Sequence, residues 1–184
     1  MNAEAISAAA LEELQAVAGY MRSHHLLLAT AESCTAGMIA TMLADIPGAG
    51  ALLDCAFVTY SVDAKRRCLG LDDAVLAQHN LTSEAVARAM AEGAAPRTPA
   101  SVIISNTGVA DDGGTGVAPG TQCYAWLFRH PTGGMAPDEA EAAWTLYTET
   151  KRFPGGRPAV RRASALYALG RIVHYHGLLQ ARGA

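Results

Sequence analysis

The sequence predicts an α/β fold, a three-layer α/β/α sandwich with a mixed sheet, and three observations carry that expectation. Short apolar runs alternate with longer segments of helical periodicity along most of the chain. Turn-forming Pro and Gly residues punctuate the alternation. Towards the end two aromatic, β-branched runs follow each other as in a hairpin.

The elements follow in order. From about Ser7 to Ser23, Leu11, Leu14, Val17, Ala18 and Met21 recur at helical spacing. "HLLLATA" reads as a buried strand, and "CTAGMIATMLADI" as a helix that stops at Pro47-Gly48. "CAFVTY" is the next strand. "SVDAKRRCLG" is a short helix with Ser61 as cap and Gly70 as terminator. A longer helix is expected from about Thr82 to Ala95, with Glu84 in its first turn favourable to the helix dipole. "SVIISNT" reads as a strand, and "GVADDGGTGVAPG", with five glycines, as a loop. "TQCYAWLFR" and "AAWTLYTETKRF" are strands joined by the turn "HPTGGMAPDE". "RPAVRRASALYALGRIVHYHG" closes the series as an amphipathic helix with Pro158 in its first turn.

The 184 residues suit one domain, 1–184, rather than two. Hydrophobic residues make up 51% and charged residues 17%, so a large part of the chain can be buried. A net charge of −3 without a basic, aromatic-studded patch speaks against a nucleic-acid partner. The four cysteines form no CxxC pair, which fits reduced thiols in a cytoplasmic protein better than zinc ligands or disulfides. The first residues lack the basic region of a secretory signal, and no apolar run reaches the ~20 residues of a membrane helix.

"TAESCTAGM" holds the first chemical candidates. A strand running into a helix through this stretch sets Ser33 near a helix N-terminus, where free N–H groups and the helix dipole can receive a developing negative charge. A serine nucleophile fits there, and so does an ordinary N-cap by Ser33 or Thr35, the commoner role. Cys34 is a rival, because a helix N-terminus favours thiolate. A serine requires a base, and "VTYSVDAK" offers Tyr60 at a strand end and Lys65 five residues on. Lys65 serves only if burial or a nearby cation lowers its pKa; otherwise it is an exposed helix lysine. Arg157 precedes the last helix and Arg161 lies four positions on, a placement that suits a phosphate or carboxylate as well as solvent. Asp111 and Asp112 fit a solvated turn better than a cation site. His174 and His176, two apart, diverge on a helix and make a poor metal pair.

These motifs occur together, in order and spacing, in one family. "TAESCTAGMIATML", "AFVTYSVDAKRRCLGL", "LTSEAVARAMAEGA", "SNTGVA" and "FPGGRPAVRRASALYAL" resemble the CinA C-terminal domain family, which includes stand-alone nicotinamide mononucleotide deamidases. The resemblance runs from about Leu11 to the closing helix. It implies hydrolysis of the nucleotide's carboxamide to nicotinate mononucleotide and ammonia, without metal or cofactor, by a cytoplasmic homo-oligomer of single domains. Ser33 is the implied nucleophile, assisted by Tyr60 and Lys65. Thr107 and Gly108 are implied to lie near the substrate and Arg157 at the active site; Thr35, and Arg157 with Arg161 on the phosphate, complete the expected substrate contacts.

The chain departs from the family pattern at several points. Ala36 stands where ESCTGG has its first glycine, at a cost if the position requires positive φ. Asp111 and Asp112 replace the Gly-Pro of "GIAGP", bringing two carboxylates near an expected anion. Asn80 replaces a turn glycine, and Gly156 stands where "GDR" has its aspartate. These changes motivate two other readings: a non-catalytic nucleotide-binding module, or an amidohydrolase for a different amide.

Overall fold

The computed structural model describes residues 7–112, 114, 116–130 and 144–183. Five strands form one mixed sheet in the order β2-β1-β3-β4-β5: β1 (Leu28–Glu32), β2 (Leu53–Val58), β3 (Val102–Gly108), β4 (Thr121–Arg129) and β5 (Trp144–Arg152). β1 pairs in parallel with both β2 and β3, whereas β3–β4 and β4–β5 are antiparallel. All five residues of β1 are buried, as expected of a parallel strand covered on both faces.

The alternation along β3 and β4 sorts the core into two layers. Val102, Ile104, Tyr124, Trp126 and Phe128 face the helices α1 (Ala8–Ser23), α2 (Met38–Ala44) and α6 (Arg157–Gly183). Ile103, Cys123, Ala125 and Leu127 face α5 (Glu84–Ala94) on the other side. That second layer is built largely of alanines, among them Ala29, Ala31, Ala87, Ala91 and Ala94, so α5 lies close against the sheet. The α/β/α sandwich with a mixed sheet is therefore the observed architecture.

Local differences from the sequence expectation have identifiable causes. The second helix begins at Met38 instead of Cys34, because Ala36 and Gly37 both take left-handed backbone, φ 50° and 88°. α5 begins at Glu84 because Ser83 is the cap, its Oγ accepting from the Val86 N–H at 3.2 Å. A two-turn helix, α4 (Asp73–Gln78), was not expected. It is too short to show periodicity, and only its Asp72 cap marks it. α6 continues past Gly177 to residue 183. The expected turn after His130 falls, from Pro131 on, outside the described residues.

After Ser61 the chain makes one short helical turn, α3 (Val62–Ala64), and widens into a π-helical turn, Lys65–Leu69, which Gly70 closes at φ 70°. α5 presses on this turn at Gly93, where a Cβ would stand 2.2 Å from the Leu69 carbonyl oxygen. Only glycine allows that approach. Gly93→Ala is expected to lower stability by about 2–3 kcal/mol, read from urea denaturation; an unchanged midpoint would contradict the packing described.

Candidate active site

Because β1, β2 and β3 run in parallel, their C-terminal ends open on the same side of the sheet, where open α/β sheets form a crevice. Register brings the residues following them together. The Ser33 N–H donates to the Asn106 carbonyl of β3 (2.9 Å), and the Thr59 N–H donates to the Glu32 carbonyl (2.8 Å). A cleft of about 380 Å³ lies over these ends, lined by Ser33, Tyr60, Lys65, Leu81, Thr107 and Gly108 among others.

Lys65 is only 2% exposed although it carries an amine. Its Nζ donates to Ser33 Oγ at 2.8 Å, to the Thr59 carbonyl at 2.7 Å and to the Tyr60 carbonyl at 3.4 Å. No carboxylate among the described residues pairs with it, and removal from water pulls its pKa from 10.5 down to about 8. At pH 7 about a tenth of the molecules then carry a neutral amine. In that state two N–H bonds satisfy the carbonyls of Thr59 and Tyr60, and the lone pair accepts the Ser33 hydroxyl proton.

The turn that bears Ser33 is held from below. The Thr35 N–H donates to Asn106 Oδ1 (3.1 Å), and Asn106 Nδ2 donates to Gln122 Oε1 (3.1 Å). Glu32, fully buried, closes the N-terminus of α2: its carboxylate accepts from the N–H groups of Ile39 (3.1 Å) and Ala40 (3.0 Å) and from Thr30 Oγ1. The helix N-terminus is thus occupied by the protein's own carboxylate. Of the N–H groups from Ser33 to Ala36, only that of Cys34 lacks an acceptor among the described residues. Cys34 itself is 5% exposed, takes a hydrogen bond from Gln122 Nε2 on its Sγ, and burial pushes its thiol pKa up. That environment opposes a thiolate.

The other sequence-derived residues are distributed as follows. The Tyr60 side chain is exposed, and its hydroxyl accepts from Arg157 Nη1 at 3.3 Å. Arg157, at the start of α6, grips Asp111 with two bonds, Nε to Oδ2 at 2.9 Å and Nη2 to Oδ1 at 2.7 Å. Asp111 and then Tyr60 raise the Arg157 pKa further. Thr107 lines the cleft and donates its hydroxyl to the Leu81 carbonyl at 2.7 Å. Gly108 lines it too, and a Cβ there would collide with the Gln122 side chain. Thr35 and Arg161 stand behind the turn instead. The Thr35 hydroxyl is buried without a hydrogen-bond partner, and Arg161 Nη2 donates to the Thr35 carbonyl at 2.9 Å. Among the described residues no three His, Cys, Asp or Glu side chains gather as a metal site would require.

Sequence reasoning missed Glu32, Asn106 and the Thr59 carbonyl. Glu32 had a usable signal, a carboxylate just ahead of a helix start. The other two act through a strand pairing and a backbone atom, neither of which a side-chain pattern reports.

The model of the CinA C-terminal domain matches residues 11–176. The chain belongs to that family. A CinA-like protein of Akkermansia muciniphila is 38% identical over 170 residues, covering 91% of this chain and 36% of the relative. A CinA-like protein of Mycolicibacterium gilvum is 40% identical over 142 residues, covering 77% and 31%. The chain therefore spans about a third of the length of these curated relatives. The crystal structure of the competence/damage inducible protein CihA from Agrobacterium tumefaciens superposes with a TM-score of 0.78 at 30% identity, covering 93% of this chain and 98% of that one. That of the competence damage-inducible protein A (ComA) from Klebsiella pneumoniae gives 0.77 at 30%, covering 89% and 94%. No described helix is long and apolar enough to cross a membrane.

Two stability measurements follow from the site. Ala36 holds a conformation that costs an L-residue about 1 kcal/mol, so Ala36→Gly is expected to stabilise the fold by about that amount in urea denaturation; a loss would contradict the strain. The lowered Lys65 pKa means that the unfolded chain binds more protons between pH 8 and 10.5, so this penalty is full below pH 8 and relieved as pH rises. Relative to Lys65→Met, the wild type is expected to gain about 2 kcal/mol between pH 8 and pH 10. A constant difference would show that Lys65 titrates normally.

Proposed function

We propose that the chain is an amidohydrolase that deamidates nicotinamide mononucleotide, with Ser33 as nucleophile and Lys65 as its base. The observation that carries this reading is the 2.8 Å contact between Lys65 Nζ and Ser33 Oγ, with the amine in a buried position that lowers its pKa. Lys65 takes the hydroxyl proton as Ser33 Oγ attacks the carboxamide carbon, and the Cys34 N–H is the backbone donor left for the oxyanion. The carbon–nitrogen bond then breaks, Lys65 returns its proton to the departing nitrogen, and ammonia leaves. Water hydrolyses the acyl-enzyme to nicotinate mononucleotide and restores Ser33. Tyr60 steadies Lys65 through its carbonyl and meets Arg157 through its hydroxyl. Arg157 is the cation a substrate phosphate reaches on displacing Asp111, with Thr107 and Gly108 against the substrate. Thr35 and Arg161 contribute by fixing the turn beneath Ser33. The family resemblance adds a cytoplasmic setting and a homo-oligomeric assembly.

A second reading keeps the hydrolysis and changes the amide. It is favoured by one observation, the occupation of the Arg157 guanidinium by Asp111.

Purified protein given the mononucleotide is expected to release ammonia. Lys65→Ala should lower kcat by about 10²–10⁴-fold, and kcat should rise with pH to a plateau above about 8. A folded sample without ammonia release from the mononucleotide, or a Lys65→Ala variant with full activity, would overturn the proposal.

A further inference from the structure

We propose that Asp111 is a specificity-determining residue: it holds the Arg157 fork against anionic substrate groups and shifts selection from phosphorylated amides towards the corresponding uncharged-tail nucleosides. The inference rests on the proposed amide hydrolysis and concerns which amide that site accepts.

Four observations support it. Both carboxylate oxygens of Asp111 are engaged by Arg157, at 2.7 and 2.9 Å, which is the bidentate geometry a phosphate would adopt on the same guanidinium. Arg157 Nη1 is also directed at the hydroxyl of Tyr60, a lining residue of the cleft over Ser33, so this guanidinium stands at the rim of the reacting centre. Arg161 does not replace it, since its Nη2 is bound to the Thr35 carbonyl behind the turn. The neighbouring Asp112 is also directed elsewhere, its Oδ1 accepting from the Gly114 N–H at 3.3 Å. A substrate phosphate gains Arg157 only by displacing Asp111, whose charge then remains unpaired beside it. A nucleoside carrying the same carboxamide meets no such opposition.

The test compares nicotinamide mononucleotide with nicotinamide riboside on wild type, Asp111→Asn, Arg157→Ala and the double variant. The ratio of kcat/KM for the mononucleotide to that for the riboside is expected to rise about tenfold in Asp111→Asn, chiefly through KM. In the Arg157→Ala background the same substitution should raise the ratio far less, since only the relief of direct repulsion remains. A ratio that stays constant or falls in Asp111→Asn, or that rises equally without Arg157, overturns the assignment. Equilibrium binding of nicotinate mononucleotide and its riboside to the same four proteins reads selection without chemistry. Absence of turnover on both amides would therefore sink the proposed reaction while the ratio of Kd values still decides the role of Asp111. Failure of Asp111→Asn to bind the mononucleotide more tightly than wild type overturns it as well.

Discussion

An amine withdrawn from water, with no carboxylate to pair it among the described residues, is the constraint around which this structure is arranged. Lys65 Nζ has three acceptors, Ser33 Oγ and the carbonyls of Thr59 and Tyr60, and each comes from the end of a parallel strand. Burial favours the neutral amine against the pull of those acceptors, leaving a lone pair for the Ser33 hydroxyl, whereas an ion-paired lysine would hold its proton. The π-helical turn from Lys65 to Leu69 and the missing side chain at Gly93 fix how deeply the amine is set. Wide turns of this kind recur at functional sites because they displace one side chain from the regular helical path. The fold accepts a destabilising burial there, as sites that carry out proton transfer commonly do.

The Ser33 turn shows the same division between order and strain. Asn106 fixes two of its backbone N–H groups, one through its carbonyl and one through its side chain, and leads through Gln122 into the core. Ser164 extends that network to Tyr124, whose hydroxyl lies 2.7 Å from Ser164 Oγ. Buried polar groups so connected are costly to leave unpaired, which restricts the turn to one arrangement. Against that order stands Ala36 at φ 50°, where glycine would be unstrained. The strain is local and small beside the network that imposes it.

Much of this was legible in the sequence because it depends on side-chain type at fixed spacing. The strands of the sheet, the Ser61 cap, and the Ser33, Tyr60, Lys65 and Arg157 positions all belong to that class. The glycine-to-alanine change at Ala36 was readable as a question about φ, and the left-handed backbone supplies its answer. What was not legible depends on backbone atoms and on pairing across the chain. Thr59 matters through its carbonyl, Asn106 through its place opposite Glu32 in the β1–β3 register. The Glu32 carboxylate was visible as a residue, yet its closure of α2 required knowing that the helix starts at Met38. The grip of Asp111 on Arg157 joins residues 46 positions apart, so the sequence showed two charges near one site without showing that they meet.

The central claim is that Lys65 is available as a neutral base near physiological pH, and the chain offers a direct way to measure it. It contains only two lysines, Lys65 and Lys151. Labelling lysine at Cε with carbon-13 gives two resonances, assigned by a Lys151→Arg variant, and a pH titration by NMR then reads Lys65 alone. The account predicts a midpoint near 8. A midpoint at the ordinary lysine value of about 10.4 would contradict it.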